Sequence, residues 1–208
     1  TLGFLIGGRN VNGEEISYNE IAISDENSIT TIDSILIASN EGVKQRLQNT
    51  VNVNYRFSNN KNQSLTVDLD YGKYKNTNKR FQPNKYYNAN KDIIMSEVIN
   101  NFDTPIDISI YTAKLDYEQK IANGNFGVGA KYSLVETNNT FKMYNVINDV
   151  SIINNTNSNL FDYKENVLAG YVSYSRPLGK KLNALGGLRA EKTDATGDLT
   201  AFDPSLQN

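Results

Sequence analysis

Among the ionisable residues that stand two positions apart in this chain are Asp68 with Asp70, and Arg189 with Glu191. Paired carboxylates are the machinery of glycoside cleavage. On an extended segment, a spacing of two puts both side chains on one face. The same spacing also builds a polar ladder of cross-strand pairs. Nothing nearby suggests a substrate-distorting site, so the ladder is the reading adopted and no catalytic residue is expected. The chain has no His and no Cys. Imidazole and thiolate chemistry, Ser-His-Asp triads and conventional zinc sites are thereby excluded. Asp25, Glu26 and Asn27 offer oxygen atoms to calcium but lack the spaced ligand loop, and read as a solvated tip. Lys79 to Tyr87 interleaves cations with aromatic rings. Arg80, Phe81, Tyr86 and Tyr87 are the expected contacts to an anionic chelate or a sugar, through charge and stacking. Phe141 to Tyr144 is a lesser segment of the same kind. Asn138-Asn139-Thr140 is a trivial glycosylation match in a chain this rich in Asn. No metal and no cofactor are expected.

The segments that carry these residues alternate apolar and polar positions. Val51 to Phe57 does so without a break, and so does Leu65 to Tyr71. Period two predicts strands with one apolar and one polar face. Seven strands are expected, at about Leu2–Ile6, 49–57, 64–74, 107–121, 125–141, 163–176 and 181–193. Short polar turns join them at one end: 58–63, Asn123-Gly124, and 177–180. Asn-Gly suits a type I′ turn, which needs positive φ at both central residues. Pro177 sits where no ladder donor is needed. Long connections join them at the other end, over about 9–46, 75–105 and 142–162. In the first of these, 16–23 and 29–37 read as a pairing hairpin, and a helix over 32–47 competes with it.

Composition agrees. The charges nearly cancel, at a formal net −2, and no basic stretch neutralises a row of phosphates, so a nucleic-acid partner is not expected. Apolar content is only 38%, yet Tyr and Phe number 13 and 8, too many for a disordered chain. No apolar run reaches the roughly 18 residues of a transmembrane helix. The chain starts with Thr1, has no basic leader, and ends on loop-like residues, Phe202 to Ser205. It reads as one partial domain, residues 1–208, internal to a longer protein and without a plug domain.

Parity assigns the faces. Val51, Val53, Tyr55, Leu65, Val67, Leu69, Phe126, Val128, Tyr132 and Leu188 lie on apolar stripes, expected to face lipid. Asp68, Asp70, Lys131, Arg189 and Glu191 lie opposite, expected to face a lumen. Segregation of this kind keeps charge off a lipid face, where Arg or Lys costs about 2–4 kcal/mol at the midplane. Tyr55, Phe57, Tyr117, Phe126 and Tyr174 all fall near the short-turn end, where an interfacial aromatic girdle belongs.

Three stretches carry a resemblance: 111–117 with 126–132, 161–171, and Gly186-Gly187-Leu188-Arg189-Ala190-Glu191-Lys192-Thr193. Over about residues 50–200 they resemble the barrel portion of the TonB-dependent outer-membrane receptor superfamily. The branch they resemble is the outer-membrane protein β-barrel family. The resemblance implies a bacterial outer-membrane barrel of about 22 strands with an N-terminal plug. It also implies import of a scarce nutrient, driven by an energy-coupling protein of the TonB type acting through a missing N-terminal region. The expected partners are therefore outer-membrane lipid, a small nutrient ligand and that coupling protein. Seven strands with two open edges cannot close such a barrel.

The expectation is thus an all-β chain: an antiparallel up-and-down transmembrane β-barrel segment, part of a receptor or transporter and not an enzyme. The rival is a soluble secreted β-sandwich used for adhesion or glycan binding. In the rival, the apolar stripes meet in a buried core.

Overall fold

The computed structural model describes residues 1–24, 31–179 and 181–206. Expectations that fall on Asp25, Glu26, Asn27, Ile29 or Lys180 lie outside the described residues. The rest forms one open antiparallel sheet: β1 (Leu2–Ile23), β2 (Ser34–Ser58), β3 (Gln63–Asn88), β4 (Ile94–Asp103), β5 (Ile106–Ile121), β6 (Gly124–Ile147), β7 (Val150–Ile153), β8 (Asn159–Leu178) and β9 (Leu182–Ala201). The main path runs β1-β2-β3-β4-β6-β8-β9, so β1 and β9 are the edges of an up-and-down meander.

β4 and β5 act as one strand broken at Thr104-Pro105. β3 pairs with β5 from Gln63 to Asn76, then with β4 from Lys79 to Tyr87. β6 makes the same exchange, from Ile106↔Asn139 to Asp103↔Lys142. Pro105 has no amide to donate to a ladder, so the break falls beside it. The gap is bridged by the Thr104 amide donating to Asn78 O (3.0 Å) and the Thr140 amide donating to Pro105 O (3.0 Å). Counted this way, seven long strands cross the sheet.

Four expectations are corrected. The long connections are strand, not loop: β2 has 25 residues, β3 26 and β6 24. At about 3.3 Å per residue each runs some 80 Å, far beyond the 9–11 residues a membrane crossing needs. The hairpin expected from 16–23 and 29–37 is real in its pairing, with Ile16 opposite Glu41 and Ile23 opposite Ser34, but it continues β1 and β2 and is not a separate element. Residues 34–47 are strand, not helix, because their carbonyls and amides are taken by β1 and β3.

The fourth correction is the β5–β6 turn. Its centre is Ala122-Asn123 (φ 49° and 58°), not Asn123-Gly124, and Gly124 already pairs with Ile121. Gly124 answers a different need. A Cβ there would stand 2.6 Å from the Tyr174 ring, whose hydroxyl donates to Ile121 O (3.0 Å) and Ala122 O (3.2 Å).

A sandwich core is absent from the described residues. The only buried apolar side chains are Ile35 and Ala169, while Phe4, Ile6, Leu69 and Leu188 stand exposed. A single sheet with no layer packed on it draws little from the hydrophobic effect by itself. Its apolar stripes need an apolar environment, which disposes of the soluble sandwich.

Candidate functional site

Directly opposed residues of an antiparallel pair share a face, so register carries parity across the whole sheet. On one face, here the Val51 face, Phe4 opposes Val53, Val53 opposes Leu69, and Leu69 opposes Ala113. The row continues through Ala113↔Tyr132 and Tyr132↔Leu168. Lower down, Val128 opposes Val172 and Val172 opposes Leu188. Every residue expected to meet lipid lies on this one face: Val51, Val53, Tyr55, Leu65, Val67, Leu69, Phe126, Val128, Tyr132 and Leu188. Asp68, Asp70, Lys131, Arg189 and Glu191 all lie on the other, the Asp68 face, through Asp68↔Lys114, Lys114↔Lys131, Lys131↔Ala169 and Ala169↔Glu191.

The Val51 face is banded. Tyr55, Phe57, Tyr117, Phe126 and Tyr174 share it near the short-turn end. A second aromatic band was missed in the sequence: Tyr71, Tyr111 and Tyr132, with Tyr71 and Tyr111 ring centroids 5.0 Å apart. Same-parity spacing could have found it, since Tyr111 and Tyr117, like Phe126 and Tyr132, are six residues apart. Six residues make about 20 Å along a strand, on the scale of the apolar band of outer-membrane barrels. Just beyond the second band the same face turns ionic. Lys73 and Lys75 meet Asp107, Lys164 meets Glu136 (2.9 Å), and Lys192 meets Asp194 (2.9 Å). On the opposite, Asp68 face, further out, Glu15 and Lys44 pair, and the Lys44 ammonium bonded to Glu15 holds that carboxyl below its ordinary range.

The Asp68 face reverses this order. Beside the apolar band it is a hydrogen-bonded ladder: Asn52 donates to Asp70 (2.7 Å), Lys114 pairs with Asp116 (2.6 Å), the Tyr171 hydroxyl donates to Asp116 (2.5 Å), and Arg189 donates to Glu191 (2.5 Å). Above it, Ile106, Ile108, Ile110, Phe141 and Phe102 take over, the two rings 5.8 Å apart. In the lower half, Gly124 at the β5–β6 turn apart, space is tighter on this face than on the other. A Cβ on Gly129 would collide with the Tyr171 ring and one on Gly3 with Asn54, whereas Gly170 and Gly186, on the Val51 face, have room. Side chains converge on the inside of a curved sheet and diverge on its outside.

The expected ligand contacts do not assemble. Arg80, Phe81, Tyr86 and Tyr87 lie on one strand, so Phe81 and Tyr87 take the Val51 face while Arg80 and Tyr86 take the Asp68 face. Arg80 and Phe81 border a cavity of about 620 Å³ that Tyr86 and Tyr87 do not line.

An open up-and-down sheet, apolar and girdled on one face and polar on the other, is a segment of an outer-membrane β-barrel wall. The family comparison agrees: the model of the outer membrane protein beta-barrel family matches residues 42–208, and the chain belongs to that family. Among solved structures it is similar to the ferric citrate transporter FecA in its unliganded form, with a TM-score of 0.36 and 10% identity over 95% of this chain. The chain spans 38% of that transporter's length. A search of the curated proteins finds no match.

Proposed function

We propose that this chain is part of the wall of a TonB-dependent-type receptor that imports a scarce nutrient through a gated polar lumen. One observation carries the reading: register alone sorts two strand faces into an apolar, aromatic-banded side and a tighter side lined by Asp68, Asp70, Asp116, Lys131, Arg189 and Glu191. In this reading the Val51 face meets lipid and the Asp68 face lines the passage. The strand extensions stand outside the membrane and receive the ligand. Coupling to an inner-membrane energy source acts through parts of the protein other than this wall. The polar ladder passes solute and does no covalent chemistry.

Spin labels placed singly along 65–71 and 126–134, in the full-length protein in lipid bilayers, test the orientation. Oxygen should reach Leu65, Val67, Leu69, Phe126 and Val128, and a water-soluble relaxer should reach Thr66, Asp68, Asp70 and Gly127. Stripes shielded from both reagents would mean a protein core and end the transport reading. Growth on candidate nutrients, with and without the cell's energy-coupling protein, tests import. Equal growth in both would remove the TonB-dependent part and leave the barrel.

A further inference from the structure

On the Asp68 face, the strand extensions are divided by charge. From the row of Gln48 upward, β1 to β3 carry Arg9, Arg46, Lys44 and Arg80 on this face. Each is the next neighbour of the one before. Arg9 opposes Gln48, two residues from Arg46; Lys44 follows Arg46 on β2; Lys44 opposes Asn78, two residues from Arg80. Such steps are about 7–8 Å. In the strands of these rows the face holds one carboxylate, Glu15, which bonds to Lys44 and lies close enough to Arg80 to feel its charge. Arg9, Arg46 and Arg80 have no ion pair among the described residues. The next acids below on this face are already engaged, Asp70 by Asn52 and Glu165 by the Tyr163 hydroxyl.

The adjoining strands are apolar in the same rows. Arg80 directly opposes Phe102, whose ring lies 5.8 Å from that of Phe141, and Asn76, opposite Arg46, opposes Ile106. Gly13 faces Lys44 across the β1–β2 pair, and a Cβ there would meet nothing within 4 Å, so the space beside the cations is open. Arg80 is nine residues beyond Tyr71 on β3, about 30 Å along the strand. In the proposed orientation the surface therefore stands at the outer mouth of the passage. A concave surface of one sign concentrates counter-ions. Guanidinium groups grip carboxylate, sulfonate or phosphate through paired N–H donors. The apolar flank favours burial of a ring or a hydrocarbon part. A bare inorganic anion would engage only half of this surface.

We infer that this surface is the first binding station of the imported solute, and that the solute is a multivalent anion with an apolar or aromatic part. The inference rests on the transport reading above and names its substrate class. The probe is pyranine, a fluorescent pyrene trisulfonate, titrated by anisotropy onto the full-length protein in nanodiscs of zwitterionic lipid. Pyranine should bind, and benzenetricarboxylate should displace it at least tenfold better than tricarballylate, which has the same charge and no ring. Arg46→Gln with Arg80→Gln should weaken binding at least tenfold. Phe102→Ala should weaken it severalfold. Lys79→Gln with Lys85→Gln removes equal charge from the same strand but from the Val51 face, and should change binding less than twofold. Equal losses from the two double variants, or equal displacement by the two tricarboxylates, would overturn the inference. Failure of pyranine to bind, with the spin labels placing the Asp68 face on the water side, would remove this inference and leave the transport reading. Labels placing that face in lipid would remove both.

Discussion

Along β4, β5 and β6 the lower and upper halves of this sheet invert in polarity. Below the Tyr71–Tyr111 pair, the Val51 face is apolar and the Asp68 face polar; above it, the Val51 face is ionic and the Asp68 face carries Ile106, Ile108, Phe141 and Phe102. The backbone ladder runs through the crossing without a change of register in β2 and β3. Hydrogen bonding therefore fixes where the strands go, and side-chain alternation fixes what each face touches. Two environments meet one continuous sheet, and the chain answers by exchanging the sides on which its apolar residues project.

The largest test of that contrast is a charge on the Val51 face in either half. Leu69→Arg should destabilise the full-length protein in lipid by about 2–4 kcal/mol, the cost of a cation among acyl chains. Val43→Arg, on the same face in the upper half, should stay within about 0.5 kcal/mol, as surface changes do. Denaturant titration from vesicles measures both, and equal costs would erase the distinction.

Next comes the difference between the faces at one height. Gly129→Ala drives a Cβ into Tyr171 and Asp116 and should cost about 1–3 kcal/mol, an overpacking penalty. Gly170→Ala, beside it on the other face with its nearest neighbour at 3.8 Å, should be near neutral in the same titration. Tyr171→Phe removes the 2.5 Å bond to Asp116 and should cost about 1.5 kcal/mol, with the fold unchanged by circular dichroism.

Smaller effects sharpen the boundary regions. Ala122→Gly relieves a positive φ and should stabilise by about 0.5 kcal/mol. The Glu15–Lys44 pair belongs to the exposed upper half. Its carboxyl is lowered in the folded chain, so its contribution is full above the ordinary value of 4.5 and disappears as pH falls through the lowered one. Hydrogen exchange of the β1–β2 hairpin should be flat in intrinsic-rate-corrected protection from pH 7 to pH 5. Protection should fall only under more acid conditions.

The lower half was legible in the sequence because one apolar face and one polar face impose period two. Leu65 to Tyr71 could be assigned to faces residue by residue. The upper half was not, because Asn76, Thr77 and Asn78 are polar on both faces and give no alternation, although β3 continues through them. The aromatic run at 79–87 drew attention for its composition, and strand geometry then divided it between faces. At Asn123-Gly124 the dipeptide marked the hairpin correctly but misplaced its centre by one residue. The glycine there makes room for Tyr174, a long-range contact that local turn rules do not contain.

The break at Thr104-Pro105 has a consequence for how such a wall can vary. Register below it is set by β5 against β3 and β6, and register above it by β4 against the same two strands. Residue pairs gained or lost in the β3–β4 hairpin therefore alter only the height of the rim. The strand segments between the two aromatic bands keep their partners whatever happens above Pro105. The rim can thus lengthen or shorten without re-indexing the segments between the two aromatic bands.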